Sequence, residues 1–368
     1  MALPIPNFIN RDATTIVNEM VADYELRTGR TLEPAQVETL LINAFAYREL
    51  LLRNQIQDAS LQNLVDYARF PMLDNLGVLV GVVRLPAALA QTNLLLTLVS
   101  GHGDVVITAG LRVNSTDGRA VFELVEDTQV LTGIDTVSAT FIAQTAGKAS
   151  NDYAIGTISV ILDPQPYLAT ASNTSVTAGG SDEETDEQLR DRIKLAPSAF
   201  SNAGSYKAYE FWTKSTSPLI IDVAVTNPIP GTVEIFPLMA NLATTPTEIL
   251  EAVDAVLNAD RIRPLTDTVV VTSPTAVNTA ITVGLILYDG AVQGDILPVV
   301  ISNLEAFRDG RRKLLGQDVV IDQIKALCII DGVYKANVTV PATDLVITET
   351  QFANITSINV TVTGTNIG

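Results

Sequence analysis

Chemistry near neutral pH draws on few side-chain types, and this chain of 368 residues holds one histidine, one cysteine and 41 carboxylates. His102 lies in Ser100-Gly101-His102-Gly103-Asp104, a context that predicts a flexible surface turn rather than a general base or a metal ligand. Cys328 lies in the apolar run Ile324-Lys325-Ala326-Leu327-Cys328-Ile329-Ile330, which predicts a small buried hydrophobe, and a lone cysteine forms no intrachain disulfide. The chain contains neither a G-x-S-x-G elbow nor an H-E-x-x-H pair. Gly101-x-Gly103 lacks a third glycine and a following helix, and no G-x-x-x-x-G-K-[ST] occurs, so nucleotide binding is disfavoured. Paired carboxylates could serve a glycosidase, but among 41 acids their presence discriminates nothing. We therefore assign no catalytic, cofactor-binding or metal residue, and expect no cofactor.

The most heavily patterned stretch is acidic. Gly179-Gly180-Ser181-Asp182-Glu183-Glu184-Thr185-Asp186-Glu187-Gln188-Leu189-Arg190-Asp191-Arg192-Ile193 reads as a hinge followed by a helix start. Two glycines release the backbone from strand geometry, and both Ser181 with Glu184 and Thr185 with Gln188 fit a capping box. The carboxylates suit the positive end of a helix dipole, and Arg190, Arg192 and Lys194 follow where cations are better tolerated. A solvated acidic helix start accounts for all of this without a ligand.

Elements must position these groups. Ile16, Val17, Met20, Val21 and Tyr24 lie at helical spacing over Asp12 to Arg27, with Gly29 placed to end the helix. A second helix is predicted from Pro34 through Val37, Leu41, Phe45, Leu52 and Ile56 toward Tyr67, about 50 Å long. Its apolar positions spread over more than one face, so it either packs as a hairpin with the first helix or meets another chain. From Asn93 to Val176 short β-prone runs predict a small barrel or sandwich. Gly204 to Thr216 reads as a helix, its Tyr209 and Trp212 as core rather than a sugar platform, and Ile220 to Val225 as a strand. Thr245-Pro246 opens a further helix with proline in its first position. Val277, Ile281, Val283, Leu285 and Leu287 alternate with less apolar residues, the clearest strand in the chain. Helices near Ile296 to Arg308 and Ile321 to Leu327 follow. The β-branched tail containing Ile358, Val360 and Val362 reads as an edge strand or one donated to a neighbour. The fold class is α+β and multidomain, with N-terminal helices, then a small β barrel or sandwich, then two α+β domains. The boundaries are 1–90, 91–178, 179–270 and 271–368.

Net charge is −18, from 23 Lys and Arg against 41 Asp and Glu, which disfavours a surface that tracks nucleic acid. Charged residues are only 17% of the chain, low enough that hidden surface in an assembly is the simplest explanation. The region Leu76 to Val99 is interrupted by Arg84, Pro86, Gln91 and Asn93, so no membrane span is expected. The first residues lack a basic region and a long apolar core, which predicts synthesis in a cytoplasm.

In this order along the chain, four stretches resemble one family. Gly103 to Val113 with Asp117-Gly118 and Phe122 resembles the barrel segment of baseplate J-like proteins, with Thr108 where that family usually has proline. Ala146-Gly147-Lys148-Ala149-Ser150-Asn151 with Gly156-Thr157-Ile158 resembles the end of that barrel. The Gly-Gly-x-Asp-x-Glu-Thr-Asp-x-x-Leu-Arg-x-Arg run from Gly179 resembles the central part, and Arg263-Pro264-Leu265-Thr266-Asp267 the start of the C-terminal domain. The resemblance covers roughly residues 30 to 350. It implies a non-enzymatic baseplate wedge subunit of a contractile tail or related injection machine, rearranging when the sheath contracts. The implied partners are other wedge subunits, sheath-initiator-like and hub proteins, and itself or a close relative in a ring, with no nucleic acid and no membrane insertion. Interaction residues expected on this basis are Val37, Leu41, Phe45, Leu52 and Ile56 in the N-terminal bundle and Ile358, Val360 and Val362 in the tail. The rival readings are a receptor-binding tail fibre or spike and a glycan hydrolase.

Overall fold

A computed structural model describes residues 4–200, 205–242, 244–259, 262–264 and 266–367. Of the stretches read above, residues 1–3, Gly204 and Leu265 lie outside them. The fold is α+β, and contact density divides it into residues 1–83 with 189–194 and residues 84–188 with 195–368.

In the first unit, α1 (Ala13–Thr28) is capped by Asp12, whose carboxylate accepts the Thr15 N–H at 2.7 Å. It ends at Gly29 with φ 66°, a conformation glycine adopts without steric cost. α2 spans Val37–Leu61, 25 residues and so about 37 Å rather than the expected 50 Å. Past Leu61 the Asn63 side-chain amide takes the Ala59 carbonyl at 3.0 Å, and the Asn63 and Leu64 N–H groups reach only three residues back, to the Ser60 and Leu61 carbonyls. The Val65 and Ala68 carbonyls accept from the Arg190 guanidinium, each at 2.8 Å. The Arg69 N–H, which a continuing helix would aim at Val65, goes to Gln62 Oε1 instead at 2.9 Å. α1 packs along α2, where Arg53 reaches Glu49 and Glu19. α3 (Met72–Leu79) follows, with Gly77 under Ile193: a Cβ there would lie 2.8 Å from the Val82 carbonyl oxygen.

The second unit begins with a barrel. Its strands are β1 (Gln91–Leu98), β2 (Val105–Ile107), β3 (Arg112–Ser115), β4 (Val121–Leu124), β5 (Thr128–Val130), β6 (Thr136–Ala143), β7 (Ile158–Ile161) and β8 (Leu168–Asn173). Six form an antiparallel sheet in the order β7-β3-β4-β6-β1-β8, and β2 pairs with β5 apart. Strict alternation in β1 puts Leu94, Leu96 and Leu98 inside with Val113, Phe122, Phe141 and Ile158. The outermost strands β7 and β8 return alongside each other, so the sheet is a nearly closed barrel. Asn173 bridges the gap: its Oδ1 accepts the Ile158 N–H at 2.9 Å, and its Nδ2 donates to the Ala154 and Ser175 carbonyls. Thr108, where the resembling family usually has proline, uses the very N–H a proline lacks, donating it to Gln165 Oε1 at 3.2 Å.

After α4 (Asp186–Leu195) and α5 (Tyr206–Lys214) come β9 (Ile220–Ile229), β10 (Thr232–Met239), α6 (Thr247–Leu257) and β11 (Thr268–Val271). The sheet order is β11-β10-β9, with β10 and β11 parallel. Tyr209, Ile235, Val253 and Leu257 form the core, with Trp212 packed against it. Pro246 is the cap of α6 rather than its first residue, because the Thr245 hydroxyl donates to the Pro237 carbonyl and leaves the helix end alone.

The C-terminal region runs β12 (Thr275–Tyr288), α7 (Gln293–Arg312), α8 (Ile321–Cys328), β13 (Val333–Val340) and β14 (Gln351–Asn366). The order β13-β12-β14 makes β12 central, antiparallel to β13 and parallel to β14. Ile281, Val283, Leu285 and Leu287 meet Val300, Leu304, Ile324 and Cys328 beneath the helices. Strand, helix, helix, strand is therefore extended by a sixteen-residue edge strand from the same chain.

Candidate functional site

Two of the stretches that carry the family resemblance, 146–151 and 179–186, meet in space. Residues 84–91 and 178–186 form a two-stranded ribbon. Gln91 bridges Ala178, Ala88 bridges Ser181, and the Glu184 N–H donates to the Leu85 carbonyl at 3.0 Å. Asn151 clasps Gly180 on both sides, its Oδ1 accepting the Gly180 N–H at 2.9 Å and its Nδ2 donating to the Gly180 carbonyl at 2.7 Å. A Cβ on Gly180 would lie 2.5 Å from the Gly147 carbonyl oxygen, so only glycine fits. This corrects the expectation of a hinge: the glycines permit close packing here, and the strip is laced down.

Three carboxylates of the acidic run, Asp182, Glu184 and Asp186, are likewise taken up by internal contacts. Asp182 accepts the Lys148 N–H at 3.1 Å and pairs with Lys148 Nζ. The Lys148 backbone N–H, then its ammonium, hold the Asp182 carboxyl below its ordinary value of 3.8. Glu184 is 2% exposed and accepts the Leu85 N–H at 2.9 Å. Arg84 donates to the Glu184 carbonyl at 2.6 Å and to Asp186 Oδ1 at 2.7 Å. Of the two capping boxes read from sequence, the second forms: Gln188 N–H donates to Thr185 Oγ1, and Thr185 N–H donates to Gln188 Oε1 at 3.1 Å. Ser181 is buried in the ribbon and Glu184 faces Leu85, so the first box cannot close. Arg84 and Leu85 escaped sequence reasoning because their partners lie about a hundred residues away.

Another resembling stretch also locks the chain to itself. The Tyr209 hydroxyl donates to Asp267 at 2.8 Å, and burial, reinforced by that carboxylate, pushes the phenol above its usual range.

Side chains offered for chemistry prove structural. His102 is 3% exposed, correcting the expected surface turn. Its Nδ1 lies 2.6 Å from the Gly103 carbonyl and its Nε2 3.1 Å from the Ile134 carbonyl, with Asp135 Oδ1 at 3.8 Å. The loop is glycine-rich, yet the imidazole turns inward to fasten residues 102–103 to 134–135. Cys328 is fully buried, and burial pushes its thiol up to about 11, far from a reactive thiolate. A cleft of ≈ 380 Å³ lined by Thr92, Asn93, Thr140, Ser175 and Glu248 brings one carboxylate among its described residues, where a glycosidase needs a pair. Among the described residues, no group of three His, Cys, Asp or Glu could hold a metal ion, and no helix is long and apolar enough to cross a membrane.

One outward face is apolar. On α2, Val37, Leu41, Phe45, Leu52 and Ile56 fall within an arc of roughly 100° at 3.6 residues per turn. They are 50–68% exposed, and Leu40 and Leu51 widen the stripe. Ala46 and Gln57, on the opposite side, are buried, and Gln57 is bonded to the Phe8 N–H and the Pro6 carbonyl. In β14 the expected residues behave differently: Ile358, Val360 and Val362 are half-buried against their own core, while Asn359, Thr361 and Thr363 are exposed. What β14 leaves open is the backbone of its outer edge.

Comparison with known proteins follows the same order of parts. Four family models match in sequence: the Baseplate J-like N-terminal domain over residues 36–90, the Baseplate J-like protein barrel domain over 94–180, the Baseplate J-like central domain over 201–273 and the Baseplate J-like protein C-terminal domain over 279–361. Baseplate protein J of Escherichia phage P2 is 31% identical over 184 residues, covering 50% of this chain and 61% of that protein, less than two thirds of its length. A cryo-EM structure of the anti-feeding prophage baseplate, six-fold symmetrised, aligns with TM-score 0.43 at 10% identity over 94% of this chain and 90% of that one. With N-terminal, barrel, central and C-terminal models matching in order, the chain belongs to the baseplate J-like family.

Proposed function

We propose that the chain is a non-enzymatic structural component of the baseplate of a contractile tail or related injection machine, and within it a wedge subunit. It joins neighbouring subunits into a ring and rearranges with them when the sheath contracts. The family membership and the name of the phage P2 relative support the baseplate role. The wedge role is carried by the exposed stripe Val37, Leu41, Phe45, Leu52 and Ile56, because apolar surface of this extent along one helix face marks a contact with another chain. In this reading 1–90 is the wedge-bundle region, 91–178 the barrel, 179–270 the central domain and 271–368 the inter-wedge contact. Partners are other wedge subunits, sheath-initiator-like and hub proteins, and a second copy or close relative in the ring. The chain is made in a bacterial cytoplasm and built into the particle there.

At the C terminus the strand bearing Ile358, Val360 and Val362 offers its free edge, since residues 351–366 include no charged residue and no proline to blunt it. The deciding experiment is to place Phe45→Asp with Leu52→Asp in the producing strain and recover particles. Loss of the chain from wedge complexes, with an unchanged unfolding midpoint of the purified variant, is the expected result. Incorporation at wild-type yield removes α2 from the interface.

A further inference from the structure

The central sheet region, 205–273, and the C-terminal region, 275–367, have separate cores. The chain passes between them through Ser273-Pro274. Ser273 Oγ accepts the Thr245 N–H at 3.0 Å on the central side, and the Thr275 N–H donates to the Thr350 carbonyl at 3.2 Å on the other. The connection is thus one or two residues long and anchored at both ends, with proline restricting its φ and the conformation of Ser273.

A hydrogen bond also joins the two regions directly. The Leu315 N–H, in the turn after α7, donates to Asp222 Oδ2 at 2.8 Å. Asp222 sits near the start of β9 opposite Leu238 of β10, with Glu210 and Lys214 of α5 beside it and paired to each other at 2.8 Å. Partial burial pushes its carboxyl above the usual range, against the pull of the Leu315 N–H. Next to this contact an open cleft of ≈ 540 Å³ separates Tyr206 and Val225 to Pro228 of the central region from Glu349 of the C-terminal one. Glu349 itself packs on the turn, its Cα 3.4 Å from where a Gly316 Cβ would be.

We propose that the C-terminal region swings about Ser273-Pro274, and that Asp222, by holding the Leu315 N–H, is the catch that fixes its closed position. The short connection and this hydrogen bond both tie the C-terminal region to the central one, and the cleft beside the contact leaves room for movement once the hydrogen bond is released. The catch is a side chain gripping a backbone donor, so it depends on an acceptor atom at residue 222 rather than on its charge. This inference concerns the isolated chain and does not rest on the baseplate reading.

The test uses the full-length chain carrying spin labels at Glu251→Cys in α6 and Lys335→Cys in β13, both exposed, with buried Cys328 left in place. Pulsed dipolar spectroscopy of the otherwise native protein is expected to give one narrow distance distribution. Asp222→Ala, which deletes the acceptor, should broaden the distribution and shift it. Asp222→Asn, which keeps a carbonyl oxygen in the same place, should leave it narrow. A narrow, unshifted distribution in Asp222→Ala overturns the proposal, and so does equal broadening in Asp222→Asn. Should Asp222→Ala fail to fold, Leu315→Pro removes the donor from the other side and is held to the same outcomes, broadening for and native width against.

Discussion

The ribbon of residues 84–91 and 178–186 and the outer face of α2 dispose of their functional groups in opposite ways. In the ribbon, Gly180, Asn151, Asp182, Glu184 and Arg84 all find partners inside the chain, over separations of about 30 to 100 residues. On α2, Val37, Leu41, Phe45, Leu52 and Ile56 face outward, while Gln57 on the other side fastens the helix to residues 6–8. The contrast separates the two meanings of a memorable sequence motif. The stretch with the most charge and the clearest pattern holds the chain together, whereas the exposed stretch we propose as a contact has no pattern beyond helical periodicity.

Breaking the ribbon should cost the most. Gly180→Ala forces a methyl group to within 2.5 Å of the Gly147 carbonyl oxygen and 2.8 Å of Asn151 Oδ1. The backbone must move, and we expect a loss of about 2 to 4 kcal/mol in urea unfolding. A variant as stable as the parent would mean that the ribbon is not packed as described. Next comes Glu184→Ala, which leaves the Leu85 N–H without its carboxylate in a buried place, for about 1 to 3 kcal/mol. Rescue by Glu184→Gln, which keeps an acceptor oxygen, would separate the lost hydrogen bond from lost packing.

A smaller effect sharpens the comparison through pH. Asp182 is depressed by the Lys148 N–H and ammonium, so its contribution is present above the ordinary carboxylate value of 3.8 and is lost as pH falls through the lower folded value. Asp182→Asn should therefore lower the thermal midpoint slightly near neutral pH, and the difference should vanish in strong acid. A gap that persists below that range would show that the contact does not depend on charge. The smallest stability effect belongs to α2: Phe45→Asp should change unfolding by less than about 0.5 kcal/mol, because an exposed residue loses little. Calorimetry showing a large loss would place Phe45 in a core of its own chain and remove it from the proposed interface.

Much of the local structure was legible from short-range signals. Asp12 and Gly29 bracket α1 as their cap chemistry requires, and the alternation from Ile281 to Leu287 matches the buried side of β12. Thr185 with Gln188 marks the start of α4. These are decided within a few residues by hydrogen-bond geometry and side-chain period, which the order of residues alone supplies. The tertiary structure decided what depends on distant partners. Beyond the end of α2, Arg190 holds the Val65 and Ala68 carbonyls, about 120 residues earlier in the chain. Asn151 and the Gly147 carbonyl turn an apparent hinge at Gly180 into a lock. His102 leaves the surface because the Ile134 carbonyl waits inside, and Ile358, Val360 and Val362 turn toward their own core because β14 lies beside β12. A glycine, a histidine or a β-branched strand has the same local preferences in either setting; which of its allowed conformations is realised depends on the partner that long-range packing brings within hydrogen-bond or van der Waals distance.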